Sequence, residues 1–506
     1  MSKDNINKSA KALMFQGTGS DVGKTVLVAG LCRAAKNRGI QVAPFKPQNM
    51  SNNAAVAEAH DVSGEIGRGQ YLQAIACGIE PSVHMNPILL KPQSQIGSQV
   101  VIQGKVHGNA MAREYQSLKP KLMRHVVESF EIISKEADLV LIEGAGSPAE
   151  INLRAGDIAN MGFASQLDLP VVLIGDIDRG GVIASIVGTH TILPKGDRDL
   201  IAGFLINKFR GDVSLFDNGL EQITNFTKWP SFGVLPWLEA VGKLPPEDSV
   251  ALDGVSLNSI AADTDNNTRL KIAVPVLGKI ANFDDLDPLK NEENVDLVFV
   301  RTGEALPKDA RLIILPGSKS TISDLMQMKE NGWDTQIRQH VEQGGEVIGI
   351  CGGYQMLGTK ISDPQKLESD VEAIEGLGLL KVETVLQGEK ITRNASPKSL
   401  EYGVPLDGYE IHVGRTNGSD CTKPMISIAN GDGGAMSAST KVRGCYLHGL
   451  FHSDQYRARL LESFGVVANA NSFKQGVEDA LNELAEHMEH HLDVDGLLKI
   501  GRSASF

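Results

Sequence analysis

The chain has 506 residues, more than one hydrophobic core usually supports, so we expect roughly two to four domains. Apolar residues make up 42% of the chain and charged residues 22%, which is ordinary for a folded globular protein. The formal net charge of −13 argues against non-specific nucleic-acid binding, because that binding needs clustered lysine and arginine.

The sequence predicts a cytoplasmic protein without a membrane partner. Its first residues contain no apolar run suited to a signal peptide, and no later segment has roughly 18 or more uninterrupted apolar residues. The cysteines are odd in number and lack a C-x-x-C pair, so we expect at most one or two of them to have a special role. They are Cys32, Cys77, Cys351, Cys421 and Cys445.

The first half alternates short apolar runs with longer stretches of helical period, a pattern typical of βα units around a mostly parallel sheet. Each predicted strand ends in or just before Gly, Asp, Asn or Pro. Because ligands of open α/β sheets bind beyond the carboxyl ends of the strands, we expect the functional residues there. The predicted strands are ALMFQ, QVAPF (41–45), LVLIEG (139–144), PVVLIGDI (170–177), AGFLINK (202–208) and FGVLP (232–236).

A polar stretch without periodicity then separates this half from a second α/β series. We therefore predict two doubly wound, mostly parallel-sheet α/β domains, at 1–255 and 270–461, a linker at 256–269 and a helical tail at 462–506. In that tail VEDALNELAEHMEHHL has helical apolar spacing. The predicted strands of the second domain are LKIAVPVLG (270–278), VDLVFVR (295–301), RLIILPG (311–317), GEVIGICGG (345–353), GYEIHVG (408–414) and VRGCYLHGLF (442–451).

The segment GTGSDVGKT follows a strand and opens a helix, as a phosphate-binding loop does. Its glycines allow backbone N–H groups to surround phosphates, its lysine reaches the terminal phosphates, and its threonine can hold Mg²⁺. The alternative is a glycine-rich turn without nucleotide. The predicted ATP-binding residues of this loop are Gly17, Thr18, Gly19, Ser20, Asp21, Val22, Gly23, Lys24 and Thr25.

The loop is one residue longer than the usual pattern and resembles that of dethiobiotin synthetases. That resemblance implies a magnesium-binding carboxylate, which we assign to Glu143 in EGAG as a second metal ligand in addition to Thr25. The alternative is that Glu143 only caps its strand. It also implies that Asn207, with Lys208, reads the adenine of ATP. Two further carboxylates, Glu65 and Asp176, are either second metal contacts or solvated loop charges. These two are left open.

The segment GICGGYQMLG places Cys351 on a sharp strand-to-helix turn, where a nucleophile is exposed and a thiol pKa is lowered. His448 in YLHGLF is the expected base, in the order found in class I glutamine amidotransferases, which this domain resembles. That resemblance also implies oxyanion-binding N–H groups near Gly317 and Gly352. The alternative for Cys351 is a small buried apolar residue.

The histidine lacks the partner that most class I glutaminases provide. The position two residues after His448 is Leu450, where those enzymes carry a glutamate. Glu410 or a backbone group is therefore a candidate to orient His448. A rival base, His412, lies in YEIHVG.

The combination of these two domains resembles the cobyrinic acid amidase family of cobalamin biosynthesis over essentially the whole chain. Motifs that carry the resemblance include KPQNMSNN, MNPILLKPQSQIGSQVVIQGK, EINLRAGDIANMGFA and DIDRGGVIAS. It implies ATP- and glutamine-dependent amidation of four carboxylates on an adenosylated corrinoid diamide. The donors expected to bind that substrate beside the loop are Lys46, Gln48, Asn49, Asn52 and Asn53.

Three alternatives stay open from the sequence. One is an a,c-diamide synthase-type amidase of the same family. Another is a P-loop ATPase regulator, which leaves the second domain without a purpose. The third is a ligase using free ammonia with an inactive glutaminase domain. The sequence indicates neither the oligomeric state nor the order of the amidations.

Overall fold

The computed structural model describes residues 11–59, 62–93, 97–247, 269–428 and 431–503. The predicted linker at 256–269 lies outside these residues except for Arg269. The chain forms two units. The first comprises Met1–Ser51, Ala57–Pro245 and Val477–Phe506, and the second comprises Asn52–Val56 and Pro246–Gly476.

Up to residue 245 strands are interspersed with helices, as the sequence predicts, except that residues 42–67 and 88–111 form consecutive strands without an α-helix between them. The strands are β1 (Ala12–Gly17), β2 (Val42–Phe45), β3 (Gln48–Met50), β4 (Ala54–Ala59), β5 (Val62–Gly67), β6 (Ile88–Pro92), β7 (Gly97–Ile102), β8 (Lys105–Met111), β9 (Leu139–Glu143), β10 (Val171–Asp176), β11 (Ile201–Phe209) and β12 (Ser231–Pro236). The α-helices are α1 (Lys24–Asn37), α2 (Arg68–Cys77), α3 (Ala112–Ser134), α4 (Met161–Gln166), α5 (Val182–Ile192), α6 (Lys195–Arg198) and α7 (Asp217–Thr227).

The main sheet of the first unit has the strand order β12-β11-β10-β1-β9-β2, and all its pairings are parallel. These are the six strands predicted in the first half, which are confirmed. β1, β9 and β10 are buried along their whole length, and strands covered on both faces need such continuous apolar runs. The chain order reverses beside β1, so a crevice opens at its carboxyl end.

A second sheet in the first unit, of order β3-β6-β7-β8, was not predicted. Its strands contain Lys, Gln and Asn, and β8 is exposed at nearly every position. β6 and β7 contain only the short apolar runs ILL and VVI, and β3 and β8 lack the apolar runs from which strands are recognised.

The second unit also places its main strands in one sheet. The strands are β13 (Leu270–Pro275), β14 (Val295–Val300), β15 (Leu312–Leu315), β16 (Glu346–Ile350), β17 (Lys360–Ser362), β18 (Ala373–Glu375), β19 (Val382–Val385), β20 (Ile391–Ala395), β21 (Lys398–Ser399), β22 (Gly408–His412), β23 (Arg415–Gly418), β24 (Ile426–Ser427), β25 (Ala435–Met436) and β26 (Val442–Cys445). The α-helices are α8 (Asp287–Lys290), α9 (Thr321–Glu330), α10 (Trp333–Glu342), α11 (Gly352–Leu357) and α12 (Asp454–Ser463).

The main sheet of this unit has the order β14-β13-β15-β16-β26-β25, parallel except for β25. Five of the six predicted strands lie in it. The sixth, β22, pairs with β20 instead. The carboxyl ends of β15, β16 and β26 lie side by side, which brings the segments after them together.

The predicted C-terminal helix is confirmed as α13 (Phe473–His491), which α14 (Val494–Ser503) follows. From Val477 onward this tail belongs to the first unit. A Cβ atom on Gly30 of α1 would lie 2.5 Å from the Met488 sulfur, so α13 packs directly on the helix that follows the phosphate-binding loop. In the described part of the chain, no helix has the length and hydropathy needed to span a membrane.

Candidate functional site

The phosphate-binding loop joins β1 to α1 in a conformation that requires glycine. Gly23 has φ 92°, and a Cβ atom there would lie 2.5 Å from the Asn207 amide nitrogen. Lys24 Nζ donates to the carbonyls of Gly19 (3.0 Å) and Gly146 (3.1 Å). The lysine thus lies over the loop, where it can contact the terminal phosphates of a nucleotide.

The buried carboxylate of Glu143, at the end of β9, is the centre of this site. Its Oε1 accepts from Thr25 Oγ1 at 2.7 Å and from Lys46 Nζ at 2.8 Å. Its Oε2 accepts from the side-chain amides of Gln73 (2.7 Å) and Gln70 (3.3 Å), both on α2. The glutamines went unrecognised in the sequence, because a donor to a buried carboxylate has no fixed spacing from it.

The residues present fit a magnesium ion. Glu143 and Thr25 are adjacent oxygen donors, the ligand type that Mg²⁺ prefers alongside phosphates and water. The Lys46 ammonium contacts the same Oε1 at 2.8 Å, so this oxygen carries negative charge that a cation can pair with. Among the described residues, no group of three or more His, Cys, Asp and Glu side chains suits a metal.

The weaker metal candidates both form ion pairs with lysine. Asp176 binds Lys208 Nζ at 2.9 Å, and Glu65 binds Lys91 Nζ at 2.7 Å in a buried pair. Asn207 is buried at the end of β11, and its amide donates to the Val22 carbonyl at 2.8 Å. It therefore holds the phosphate-binding loop in place in this structure. The contact of Asn207 with adenine stays a prediction.

The predicted substrate donors divide between the two units. Lys46, Gln48 and Asn49 belong to the first, where Gln48 accepts from the Tyr115 hydroxyl at 2.6 Å and Asn49 donates to Gln70 at 2.9 Å. Asn52 and Asn53 belong to the second. There, the Asn53 side chain donates to the Glu247 carbonyl at 3.0 Å and accepts from the Asn282 N–H at 2.8 Å.

In the second unit Cys351 occupies the turn between β16 and α11, with φ 51° and ψ −109°. A non-glycine residue rarely adopts a positive φ, and this strain is typical of a nucleophile held at the head of a helix. The thiol lies beside strand β22, with Sγ 3.6 Å from the Ile411 carbonyl.

His448 follows β26, and its orienting partner is Asp285. His448 Nδ1 lies 2.8 Å from Asp285 Oδ2, and the Gly449 N–H donates to Oδ1 at 2.6 Å. Burial disfavours the imidazolium, but Asp285 and Cys351 outweigh this effect and raise the pKa of His448 to about 10. The arrangement favours a protonated His448 imidazole next to a buried carboxylate.

Asp285 was not predicted from the sequence, because it lies in FDDL, between β13 and α8, far in sequence from His448. Glu410 does not orient the histidine: it binds Arg393 Nε at 2.5 Å. The rival base His412 stacks on Tyr446, with ring centroids 3.7 Å apart. Burial, followed by His448 and Arg393, lowers the pKa of His412 to about 3, so this ring is neutral.

The loop after β15 approaches both catalytic residues. A Cβ atom on Gly317 would lie 3.0 Å from His448 Cε1, and one on Gly352 would lie 2.9 Å from the Ser318 nitrogen. Only glycine fits such close approaches. The Ser318 hydroxyl donates to Asp324 at 2.6 Å, and the Thr321 N–H donates to Glu368 at 2.7 Å, so carboxylates anchor this loop. The oxyanion-binding role of Gly317 and Gly352 stays a prediction.

The remaining cysteines have no comparable setting. Cys32, Cys77 and Cys445 are buried and Cys421 is partly buried, and none forms a disulfide. Burial raises the pKa of Cys445 to about 12, which suppresses its thiolate.

Comparison with known proteins matches both halves of the chain. The CobQ/CobB/MinD/ParA nucleotide binding domain matches residues 13–251, and the CobB/CobQ-like glutamine amidotransferase domain matches residues 271–456. Three curated relatives named cobyric acid synthase align over 491 residues, covering 97% of this chain and 100% of each relative. The proteins of Brucella suis biovar 1 and Brucella anthropi are 60% identical to it, and that of Brucella melitensis biotype 2 is 59% identical.

Proposed function

Since this chain belongs to the cobyric acid synthase family, we propose that Cys351, His448 and Asp285 release ammonia from glutamine for an ATP-dependent amidation centred on Lys24 and Glu143. The chain is a glutamine amidotransferase ligase of cobalamin synthesis. The proposed acceptors are the four peripheral carboxylates of an adenosylated cobyrinic acid a,c-diamide. Each amidation consumes one ATP and one glutamine.

The ATP half of the reaction makes a carboxylate electrophilic. A substrate carboxylate oxygen takes the γ-phosphoryl group, giving an acyl phosphate and ADP. The loop N–H groups and Lys24 hold the phosphates, while Lys46 steadies the group in transfer. Thr25 and Glu143 would hold Mg²⁺, which when bound neutralises phosphate charge. Ammonia then adds to the acyl carbon and expels phosphate, leaving the amide.

The glutamine half is an acyl transfer. The Cys351 thiolate adds to the carboxamide carbon, and N–H groups near Gly317 and Gly352 stabilise the oxyanion. His448, oriented by Asp285, gives its proton to the departing nitrogen, so ammonia leaves and a thioester remains. His448 then takes a proton from water, which hydrolyses the thioester to glutamate and restores the thiolate.

The observation that carries this proposal is the pairing of His448 with Asp285 beside Cys351 in a chain that also has a complete phosphate-binding loop. It argues against an inactive glutaminase domain, because the missing glutamate is replaced by another carboxylate. It also argues against a P-loop regulator, for which this second site has no use.

The test incubates the purified chain with ATP, Mg²⁺, glutamine and the adenosylated diamide, and follows the product by mass spectrometry. We expect four successive carboxyl-to-carboxamide conversions. No amidation of the diamide, with amidation of cobyrinic acid at only two positions when that acid is supplied in its place, would instead favour the a,c-diamide synthase alternative. The Cys351→Ala variant is the matched control: it should lose amidation with glutamine and keep it with ammonium salts. Glutamine-dependent amidation by that variant would rule out Cys351 as the nucleophile.

A further inference from the structure

The segment that follows the phosphate site displays two large apolar side chains to solvent. Ile151 is 48% exposed and Leu153 is 46% exposed, and both lie on the 3-10 helix Ile151–Gly156. This helix begins eight residues after Glu143. It belongs to the motif EINLRAGDIANMGFA, to which the reaction described above assigns no role.

This helix is firmly anchored in the first unit. Arg154 forms a two-pronged ion pair with Asp197, at 2.7 and 2.8 Å. Asp157 accepts from three backbone N–H groups at the start of α4. The Asn160 side chain both donates to and accepts from the backbone of Ala145, in the turn after Glu143. The exposed apolar side chains therefore project from a fixed element joined to the phosphate site, as in binding surfaces.

A third exposed apolar side chain comes from the other segment that leaves this site. Met50, at the end of β3, is 54% exposed and lies four residues after Lys46. Gln48 on the same strand accepts from the Tyr115 hydroxyl at 2.6 Å, which joins β3 to α3. The next turn of α3 carries Lys119, whose ammonium lies 5.7 Å from the centre of the Tyr115 ring.

Lys119 is 8% exposed as a residue, and no carboxylate of the described residues lies within ion-pairing distance of its ammonium. A Cβ atom on Gly156 would lie 3.7 Å from Lys119 Cδ, so the lysine packs against the end of the 3-10 helix. Burial lowers the pKa of Lys119, and Asp157 partly opposes this effect. An ammonium without an ion-pairing carboxylate is available to bind an anionic ligand.

We propose that Met50, Lys119, Ile151 and Leu153 form the docking surface of the corrinoid. The broad apolar ring rests on the three exposed apolar side chains, and Lys119 binds one of the carboxylates on its rim. Met50 follows Lys46 closely in the chain, and Ile151 and Leu153 follow Glu143. A neighbouring carboxylate of the same ligand therefore reaches the phosphoryl group. The proposal rests on the proposed function, because it takes the corrinoid as substrate.

The test measures binding of the adenosylated diamide and of its tetra-amidated product by equilibrium dialysis, using the visible absorption of the corrinoid. We expect Leu153→Ser to weaken binding of both about tenfold, since it removes apolar contact. Lys119→Met should weaken binding of the diamide about tenfold and that of the product much less. Matched controls are Ile192→Ser, another exposed apolar residue of this unit, and Lys121→Met, an exposed lysine of the same helix.

ATP binding should be unchanged in every variant. This control would show that the first unit is folded. Wild-type affinity for the diamide in either Leu153→Ser or Lys119→Met overturns the proposal, as does an equal loss in the controls. These results would leave the proposed function intact, because wild-type amidation is measured separately. A wild-type chain that neither binds nor amidates the diamide would instead contradict the proposed function itself.

Discussion

Asp285 Oδ2 lies 2.8 Å from Nδ1 of His448, and both side chains are almost wholly buried. The second oxygen of Asp285 accepts the Gly449 N–H at 2.6 Å, so the carboxylate fixes the backbone that carries the histidine as well as its ring. We therefore propose that this carboxylate, from the segment after β13, takes the orienting role that class I glutaminases usually assign to a residue beside the histidine.

The Asp285→Asn substitution should reduce glutaminase turnover roughly 10²- to 10⁴-fold, because the imidazole loses its orientation and the charge that favours its protonated form. The measurement is glutamate release. Ammonia-dependent amidation should be unchanged, since it bypasses this site. Asp284→Asn, at the neighbouring buried position, is the control. Equal turnover in Asp285→Asn and the wild type would contradict the assigned triad.

The sequence was sufficient to predict the main sheets and the residues that follow their strands. Cys351 and His448 come after β16 and β26, and Lys24 and Glu143 come after β1 and β9, where apolar runs end in residues suited to phosphate or acyl chemistry. These positions follow from the α/β pattern itself. Asp285 was missed because its contact with His448 spans 163 residues and depends on how a loop folds back over the sheet.

The contacts of Glu143 also could not all be predicted from the sequence. Its partners Thr25, Lys46, Gln70 and Gln73 come from three separate elements, and only the first two belong to recognised motifs. The sheet β3-β6-β7-β8 was missed for a different reason. β6 and β7 have only short apolar runs, and the more polar β3 and β8 pair with them, so these sequences carry little strand pattern.

The Gly317→Ala substitution should reduce glutaminase turnover about a hundredfold. The added methyl group would lie 2.8 Å from the Ala281 carbonyl oxygen and 3.0 Å from His448 Cε1, so the loop must shift away from the reacting atoms. Gly476→Ala is the matched control, because a Cβ atom there meets no neighbour within 4 Å. Similar turnover in the two variants would show that the Gly317 loop does not approach the reacting carbonyl.

The stability of the second unit should depend on pH through Glu368. Burial raises the pKa of this carboxyl from 4.5 to about 7, although Lys319 and the Thr321 N–H oppose the shift. The folded protein therefore holds this proton more tightly than the unfolded chain. The resulting cost to stability is absent below about pH 4.5 and complete above about pH 7.

The Glu368→Gln variant removes this charge and keeps an oxygen for the Thr321 N–H. Its Tm relative to the wild type should therefore rise by a few degrees between pH 5 and pH 8, as calorimetry can measure. Glu372→Gln, at an exposed carboxylate nearby, should show no such trend. A Tm difference that stays constant or falls with rising pH would contradict the assignment.

The last prediction concerns the ion pair between Lys46 and Glu143. The ammonium lies 2.8 Å from the same Oε1 that Thr25 contacts, so a divalent cation held by Thr25 and Glu143 would compete with Lys46 for this oxygen. Lys46 would then be available to contact the phosphates. Removing its charge should leave the cation without a competitor.

We therefore expect Lys46→Met to tighten Mn²⁺ binding in the presence of ADP, as measured by electron paramagnetic resonance, while ATP-dependent amidation falls at least a hundredfold. Lys91→Met is the matched control, because Lys91 forms a similar buried ion pair with Glu65, at 2.7 Å. Both variants should lose stability, since each leaves a buried carboxylate without its cation. Only Lys46→Met should change Mn²⁺ affinity. Weaker Mn²⁺ binding in that variant would show that Lys46 supports the cation site instead of competing with it.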